Sequence, residues 1–177
     1  MLQSDVFQDA GKGRALLRTA SASDGRNMQI ETTRFGLLDV DESKFIHFAW
    51  GLPAFEDLKR YILMEHKEGP FHWLQAVDDP GLAFITCPPE VFGVKYDVPP
   101  AKKEVLGLRA DEDVLILNMV SIAREKGLIR FHVRSPLLFN MFTKTGCQWS
   151  MDSDEVRKHL VMPEGIPGAD DLVEALG

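Results

Sequence analysis

Cysteine is scarce in this chain: Cys87 and Cys147 stand far apart, and neither belongs to a C-x-x-C pair. That spacing excludes a disulfide-stapled scaffold or a zinc ribbon, and it predicts two reduced thiols packed as small apolar groups. The five histidines are scattered without H-E-x-x-H spacing, so no metal centre is expected. A P-loop, a G-x-G-x-x-G turn and a G-x-S-x-G elbow are all missing. No apolar run approaches the ~20 residues that span a bilayer, and no apolar signal segment follows Met1. Bases are the minority, 20 against 27 acids, for a net charge of -7. Phosphate is repelled on average by such a chain, which argues against nucleic acid or an anionic membrane as a direct partner.

What is present is an ordinary globular composition, 45% hydrophobic over 177 residues. That is enough for one domain with its own core. Residues 1–27 are rich in Gly, Ala, Ser, Asp and Arg, with too little apolar area to offset chain entropy, and are expected to be a disordered arm. Periodicity begins at Met28, which makes that residue a candidate alternative translation start. Residues 28–151 read as the folded body. Residues 152–177 carry seven acids against two bases, so most of the net charge belongs to a tail.

The body reads as short strands joined by turns. Strands are predicted at Met28–Thr33, Lys44–Phe48, Tyr61–Met64, Phe71–Val77, Leu82–Thr86, Val94–Val98, Val114–Ile122, Leu128–Val133, Leu137–Phe142 and Cys147–Met151. The run Tyr61-Ile62-Leu63-Met64 is apolar throughout, as a strand buried on both faces would be. Asp78-Asp79-Pro80-Gly81 is a hairpin turn by its chemistry. Glu125-Lys126-Gly127 and Thr143-Lys144-Thr145-Gly146 read as two more turns. One short helix is predicted after Pro53, with Glu56 and Asp57 early and Lys59 and Arg60 late along its dipole. Consecutive strands without long intervening helices favour an all-β fold, a small antiparallel barrel. In the tail, Asp152 to Glu155 caps a helix running to about Val161, and a second short helix is predicted over 169–176.

Candidate chemistry is thin. The acid pairs Glu56-Asp57, Asp78-Asp79 and Asp111-Glu112-Asp113 are adjacent in sequence and read as solvated turn or helix-start groups rather than acid/base dyads. Gly11-Lys12-Gly13 lacks the strand and helix that phosphate binding needs. A His132–Cys147 thiol–imidazole pair has nothing local to activate the thiol. No enzyme activity and no cofactor are therefore expected. Asn118 and Asn140 interrupt apolar strands, either to satisfy buried backbone groups or as polar points of a partner surface. Trp50, next to a Gly-Leu-Pro turn, is a candidate interface anchor.

Several strings then point one way: Ile30-Glu31-Thr32-Thr33-Arg34-Phe35-Gly36, Gly51-Leu52-Pro53-Ala54-Phe55-Glu56-Asp57-Leu58-Lys59-Arg60-Tyr61, and Phe71-His72-Trp73-Leu74-Gln75-Ala76-Val77-Asp78-Asp79-Pro80. Asp113-Val114-Leu115-Ile116-Leu117-Asn118 and Ser135-Pro136-Leu137-Leu138-Phe139-Asn140 follow, with Gly146 and Gln148. Spread in order over about residues 28–150, they make the chain resemble the FliW family of flagellar assembly factors. It departs from the family at Ala54, where a second glycine is usual, at Ala49-Trp50, where Pro-Glu is usual, and at Met141-Phe142, where the family is more polar.

The resemblance implies a cytoplasmic, non-enzymatic β-barrel that is monomeric when free. It implies two protein partners, flagellin and the translational regulator CsrA. It also implies an allosteric antagonism of CsrA that flagellin reverses by withdrawing the factor. On this reading the partner-binding residues are sought among Trp50, Glu56, Asp57, Asp78, Asp79, Asn118 and Asn140. The acidic tail is expected to add negative potential opposing the approach of RNA. The alternatives are a flavin- or small-ligand-binding split barrel, with Lys102, Lys103 and Arg109 as its nearest basic cluster, and an oligonucleotide-binding barrel stacking bases on Phe71, Trp73 and Phe84.

Overall fold

The computed structural model describes residues 14–15, 26–67, 69–109, 114–123 and 128–161. Its strands are β1 (Arg14–Ala15), β2 (Asn27–Thr32), β3 (Gly36–Asp41), β4 (Ile46–Phe48), β5 (Arg60–Glu65), β6 (His72–Ala76) and β7 (Ala83–Cys87). They continue as β8 (Lys95–Tyr96), β9 (Val114–Ala123), β10 (Leu128–Phe131), β11 (Leu137–Asn140), β12 (Thr145–Gln148) and β13 (Leu160–Val161), with helices α1 (Pro100–Val105) and α2 (Ser153–His159).

Seven strands close a barrel in the order β5-β4-β12-β11-β9-β7-β6, with β6 pairing back onto β5. A ring of seven strands cannot alternate direction all the way round, so one neighbouring pair must be parallel. That pair is β12–β4, with Thr145 opposite His47 and Gly146 opposite Phe48. The other six pairings are antiparallel. The interior is filled by Phe48, Tyr61, Leu74, Leu117, Leu137 and Phe139. Phe48 meets Tyr61 and Phe139 edge-to-face, with ring centroids 5.2 and 5.8 Å apart. Gly146 makes room for this cluster: a Cβ there would stand 2.7 Å from the Phe48 ring.

The two-faced apolar run has its explanation in β5. Tyr61 and Leu63 point into the barrel, whereas Ile62 and Met64 point outward. The outward side is roofed by the β2–β3 hairpin, whose Ile30 and Val40 pack with Ile62, Met64 and Trp73. A second layer, made of α2, the β8–β13 pair and the residues Val98 and Leu106 that flank α1, covers Leu138 and Trp149 on the far side. The start of α2 carries the expected cap. Asp152 Oδ1 accepts from the backbone N–H of Asp154 and Glu155 at 3.0 and 2.9 Å, and Glu155 Oε2 accepts from Asp152 N at 3.1 Å.

The mostly β architecture agrees with the sequence expectation, but the body helix is elsewhere. Residues 53–60 form successive tight turns, with Phe55 N–H donating to Leu52 O at 2.8 Å and Leu58 N–H to Phe55 O at 3.1 Å. Ala54 has φ +68°, which no right-handed helix accommodates. The body helix is α1, opened by Pro99-Pro100 and ended by bases in its last turn. Strand β3 was not expected, and β4 is shorter than predicted because Glu42–Lys44 form a 3₁₀ turn. Of the arm expected to lack order, Arg14–Ala15 pair with Glu65 and Met64 of β5. Most of the arm lies outside the described residues, as do Gly11-Lys12-Gly13, Asp111 to Asp113, the 125–127 turn and the 169–176 helix.

Candidate functional site

The strand register gathers the acid pairs at one end of the barrel. Chain direction puts the exit of β4, the entry of β5, the β6–β7 turn and the exit of β12 at that end. The loop from Ala49 to Lys59 is anchored by Leu52 and Phe55, which pack into the barrel core; Phe55 meets Phe84 edge-to-face at 5.5 Å. With these two plugged in, Trp50, Glu56 and Asp57 are left outside, and Trp50 is 69% exposed. Glu56 is fixed by its neighbours. Its Oε1 accepts from Ala54 N at 2.9 Å, and backbone donors at Glu56 itself and Ala54 hold its carboxyl below the ordinary value. A shallow cavity of about 240 Å³ separates Trp50, Pro53 and Glu56 from Gly146, Cys147 and Gln148 of β12.

The second acid pair stands on the β6–β7 turn. Asp78 forms a two-pronged ion pair with Arg60, whose Nε donates to Oδ2 at 3.0 Å and whose Nη2 donates to Oδ1. This bond lowers the Asp78 pKa and raises that of Arg60. Asp79 Oδ1 accepts from Gly81 N at 2.8 Å, closing a local Asx turn. Sequence reasoning missed Gln75, the residue beneath this turn. Fully buried, its Nε2 donates to Asp79 O at 3.0 Å and Leu82 O at 2.9 Å. A buried glutamine in a strand just before an Asp-Asp-Pro-Gly turn was the available signal.

Asn118 and Asn140 belong to the interior, apart from this surface. Asn118 is buried, and its Nδ2 donates to the Tyr96 hydroxyl at 2.7 Å and to His132 O at 2.8 Å. Tyr96 passes the chain on to Val133 O at 2.9 Å. Asn140 donates to Leu106 O at 2.9 Å and accepts from the N–H groups of Phe142 and Thr143. Both side chains thus satisfy backbone groups of neighbouring segments.

The two cysteine thiols are not activated. Burial pushes the Cys87 thiol up to about 11 and also raises Cys147. His132 pairs with Ser121 Oγ at 3.1 Å, and burial lowers its pKa. Among the described residues no group of three or more His, Cys, Asp or Glu side chains is arranged to hold a metal ion, and no helix is long and apolar enough to cross a membrane.

Comparison with known proteins fits this architecture. The sequence model of the family described as FliW protein matches residues 29–160. The flagellar assembly factor FliW of Alkaliphilus metalliredigens is 34% identical over 142 residues, covering 77% of this chain and 88% of that protein. The FliW of Moorella thermoacetica is 33% identical over 146 residues, covering 78% and 91%. A crystal structure of the flagellar assembly factor FliW shares the fold, with a TM-score of 0.66 at 23% identity over 71% of this chain and 90% of that one. The matched span takes in the barrel, both acid pairs and the Gly-Leu-Pro loop, and the chain is a member of the FliW family of flagellar assembly factors.

Proposed function

We propose that this flagellar assembly factor works by binding proteins, without catalysis, and that its partners are the translational regulator CsrA and flagellin. Binding to CsrA antagonises repression of flagellin mRNA, and flagellin reverses the effect by withdrawing the factor. The family resemblance supplies the partners. The single observation that supports a binding surface is the barrel end where Trp50, 69% exposed, borders a shallow cavity with Glu56, with Asp57 in the same loop and the Asp78-Asp79 turn at the same end of the barrel. A large aromatic ring exposed next to fixed carboxylates is the composition of an anchor with a charged rim. Negative charge on that rim favours a basic partner and opposes phosphate arriving beside it, which is the sense required of an antagonist of an RNA-binding protein. Asn118 and Asn140, spent on internal hydrogen bonds, are left out of the proposed surface.

Calorimetry with purified proteins tests the reading. Saturable heat with CsrA, abolished by prior addition of flagellin, is the expected result. Heat with neither protein under conditions where both are folded rejects it.

A further inference from the structure

The opposite end of the barrel carries a surface of different chemistry. Phe142, in the β11–β12 turn, is 83% exposed, and Val105, the last residue of α1, is 54% exposed. Asn140 ties the two segments together, donating to Leu106 O at 2.9 Å while accepting from Phe142 N at 3.0 Å. Cations border the apolar pair. Lys144 lies in the same turn, Lys44 is close enough to repel it, and Lys102 projects from α1. Glu104 stands among them on α1. An exposed phenylalanine with lysines around it calls for an occupant that is apolar and acidic at once.

The sequence holds such an occupant. Residues 162–177 lie outside the described residues. They contain Glu164, Asp170, Asp171 and Glu174 with no base, together with Ile166, Leu172, Val173 and Leu176. The described chain ends at Val161, which pairs with Lys95 in the β13–β8 ladder. Leu160 packs in the same cluster as Leu106, so the chain leaves the fold on the side that bears α1. Sixteen residues reach up to about 50 Å when extended, enough to cross one side of a domain of this size. The acidic end sets Glu56, Asp57, Asp78 and Asp79 against the segment, and its Arg60 is already paired with Asp78.

We propose that the acidic C-terminal segment, residues 164–176, docks on the lysine-bordered apolar surface of Phe142 and Val105, with its carboxylates against Lys44, Lys102 and Lys144. The docking segment lies beyond the matched family span, which ends at residue 160, while the surface that receives it lies within that span. It is an appendage of this chain acting on the family barrel, at the end away from Trp50.

Zero-length carbodiimide cross-linking of the full chain, with the monomer isolated and digested for mass spectrometry, tests the proposal. Asp170, Asp171 or Glu174 should be joined to Lys44, Lys102 or Lys144. Phe142→Ser, at an exposed position, should cut those products at least fivefold while leaving the thermal midpoint in place. Val105→Ser is the second variant, with the same expectation if the first does not fold. Tail carboxylates joined only to Lys95 or Lys59, or joined to nothing, would overturn the proposal. So would products confined to a dimer band, which would make the occupant a second copy.

Discussion

Gly51 lies directly against the backbone of Glu56: a Cβ at residue 51 would stand 2.6 Å from the Glu56 carbonyl oxygen. Gly51 also has φ +72°, so the position excludes other residues twice over. This contact folds the 49–59 loop back on itself and presents Trp50 and Glu56 together. Gly51→Ala is expected to destabilise the fold by about 3 kcal/mol, combining left-handed strain with a backbone overlap that cannot relax by rotamer change. Urea denaturation followed by fluorescence measures it; a loss under about 1 kcal/mol would mean the loop rearranges freely.

Ala54 takes a left-handed φ of +68° in the same loop. A glycine there removes the steric cost but adds unfolded-state entropy, two effects of opposite sign of which the steric one is the larger. The net expectation for Ala54→Gly is a stabilisation of about 0.5–1 kcal/mol, read as a higher urea midpoint at unchanged slope. A lower midpoint would show that the Ala54 methyl makes a contact worth more than the strain.

Tyr61 titrates abnormally. Its side chain is buried in the barrel, its hydroxyl finds no hydrogen-bond partner among the described residues, and burial, with Asp79 adding to it, pushes the pKa up to about 12. A folded-state pKa raised above the unfolded value of about 10 gives stability that is intact below pH ~10 and lost as pH rises towards the folded value. Tyr61→Phe is therefore expected to reduce the steepness of alkaline unfolding between about pH 10 and 12. It also removes an unsatisfied buried hydroxyl, so the variant should be no less stable at pH 7. A variant that is destabilised at pH 7 and keeps the wild-type alkaline slope would contradict this.

Asp78 behaves in the opposite sense. The hydrogen bond from Arg60 lowers its pKa, so its contribution is present above the unfolded value of about 4 and is lost as pH falls through the lower folded value. Both partners are over a third exposed, which keeps the stability at stake below about 1 kcal/mol. Asp78→Asn should flatten the acid limb of the stability profile and change little at pH 7. An Asp78→Asn protein with the wild-type acid limb would show that the pair is loose in solution.

These residues also show what the sequence could and could not disclose. The Asp-Asp-Pro-Gly hairpin was legible because its turn chemistry is local, and the α2 capping box for the same reason. The two-faced β5 run was legible as a pattern, though its cause, the β2–β3 roof, was not. The stretch 53–60 misled because proline, early acids and late bases are helix signals, while the positive φ values at Gly51 and Ala54 that forbid a helix leave no mark in composition. Asn118 and Asn140 look alike as polar breaks in apolar strands whether they face a partner or a neighbouring backbone. Only the packing of Tyr96, His132 and Leu106 distinguishes the cases. The shared barrel end for Glu56, Asp57, Asp78 and Asp79 depended on strand order, which no local pattern encodes.

The most direct test of the account is the affinity of CsrA for two charge-reversed variants, Glu56→Lys with Asp57→Lys and Asp78→Lys with Asp79→Lys, measured by calorimetry on proteins whose folding is verified by circular dichroism. At least a tenfold weakening in one of them is expected if this end of the barrel forms the contact. Unchanged affinity in both would contradict the assignment of the binding surface.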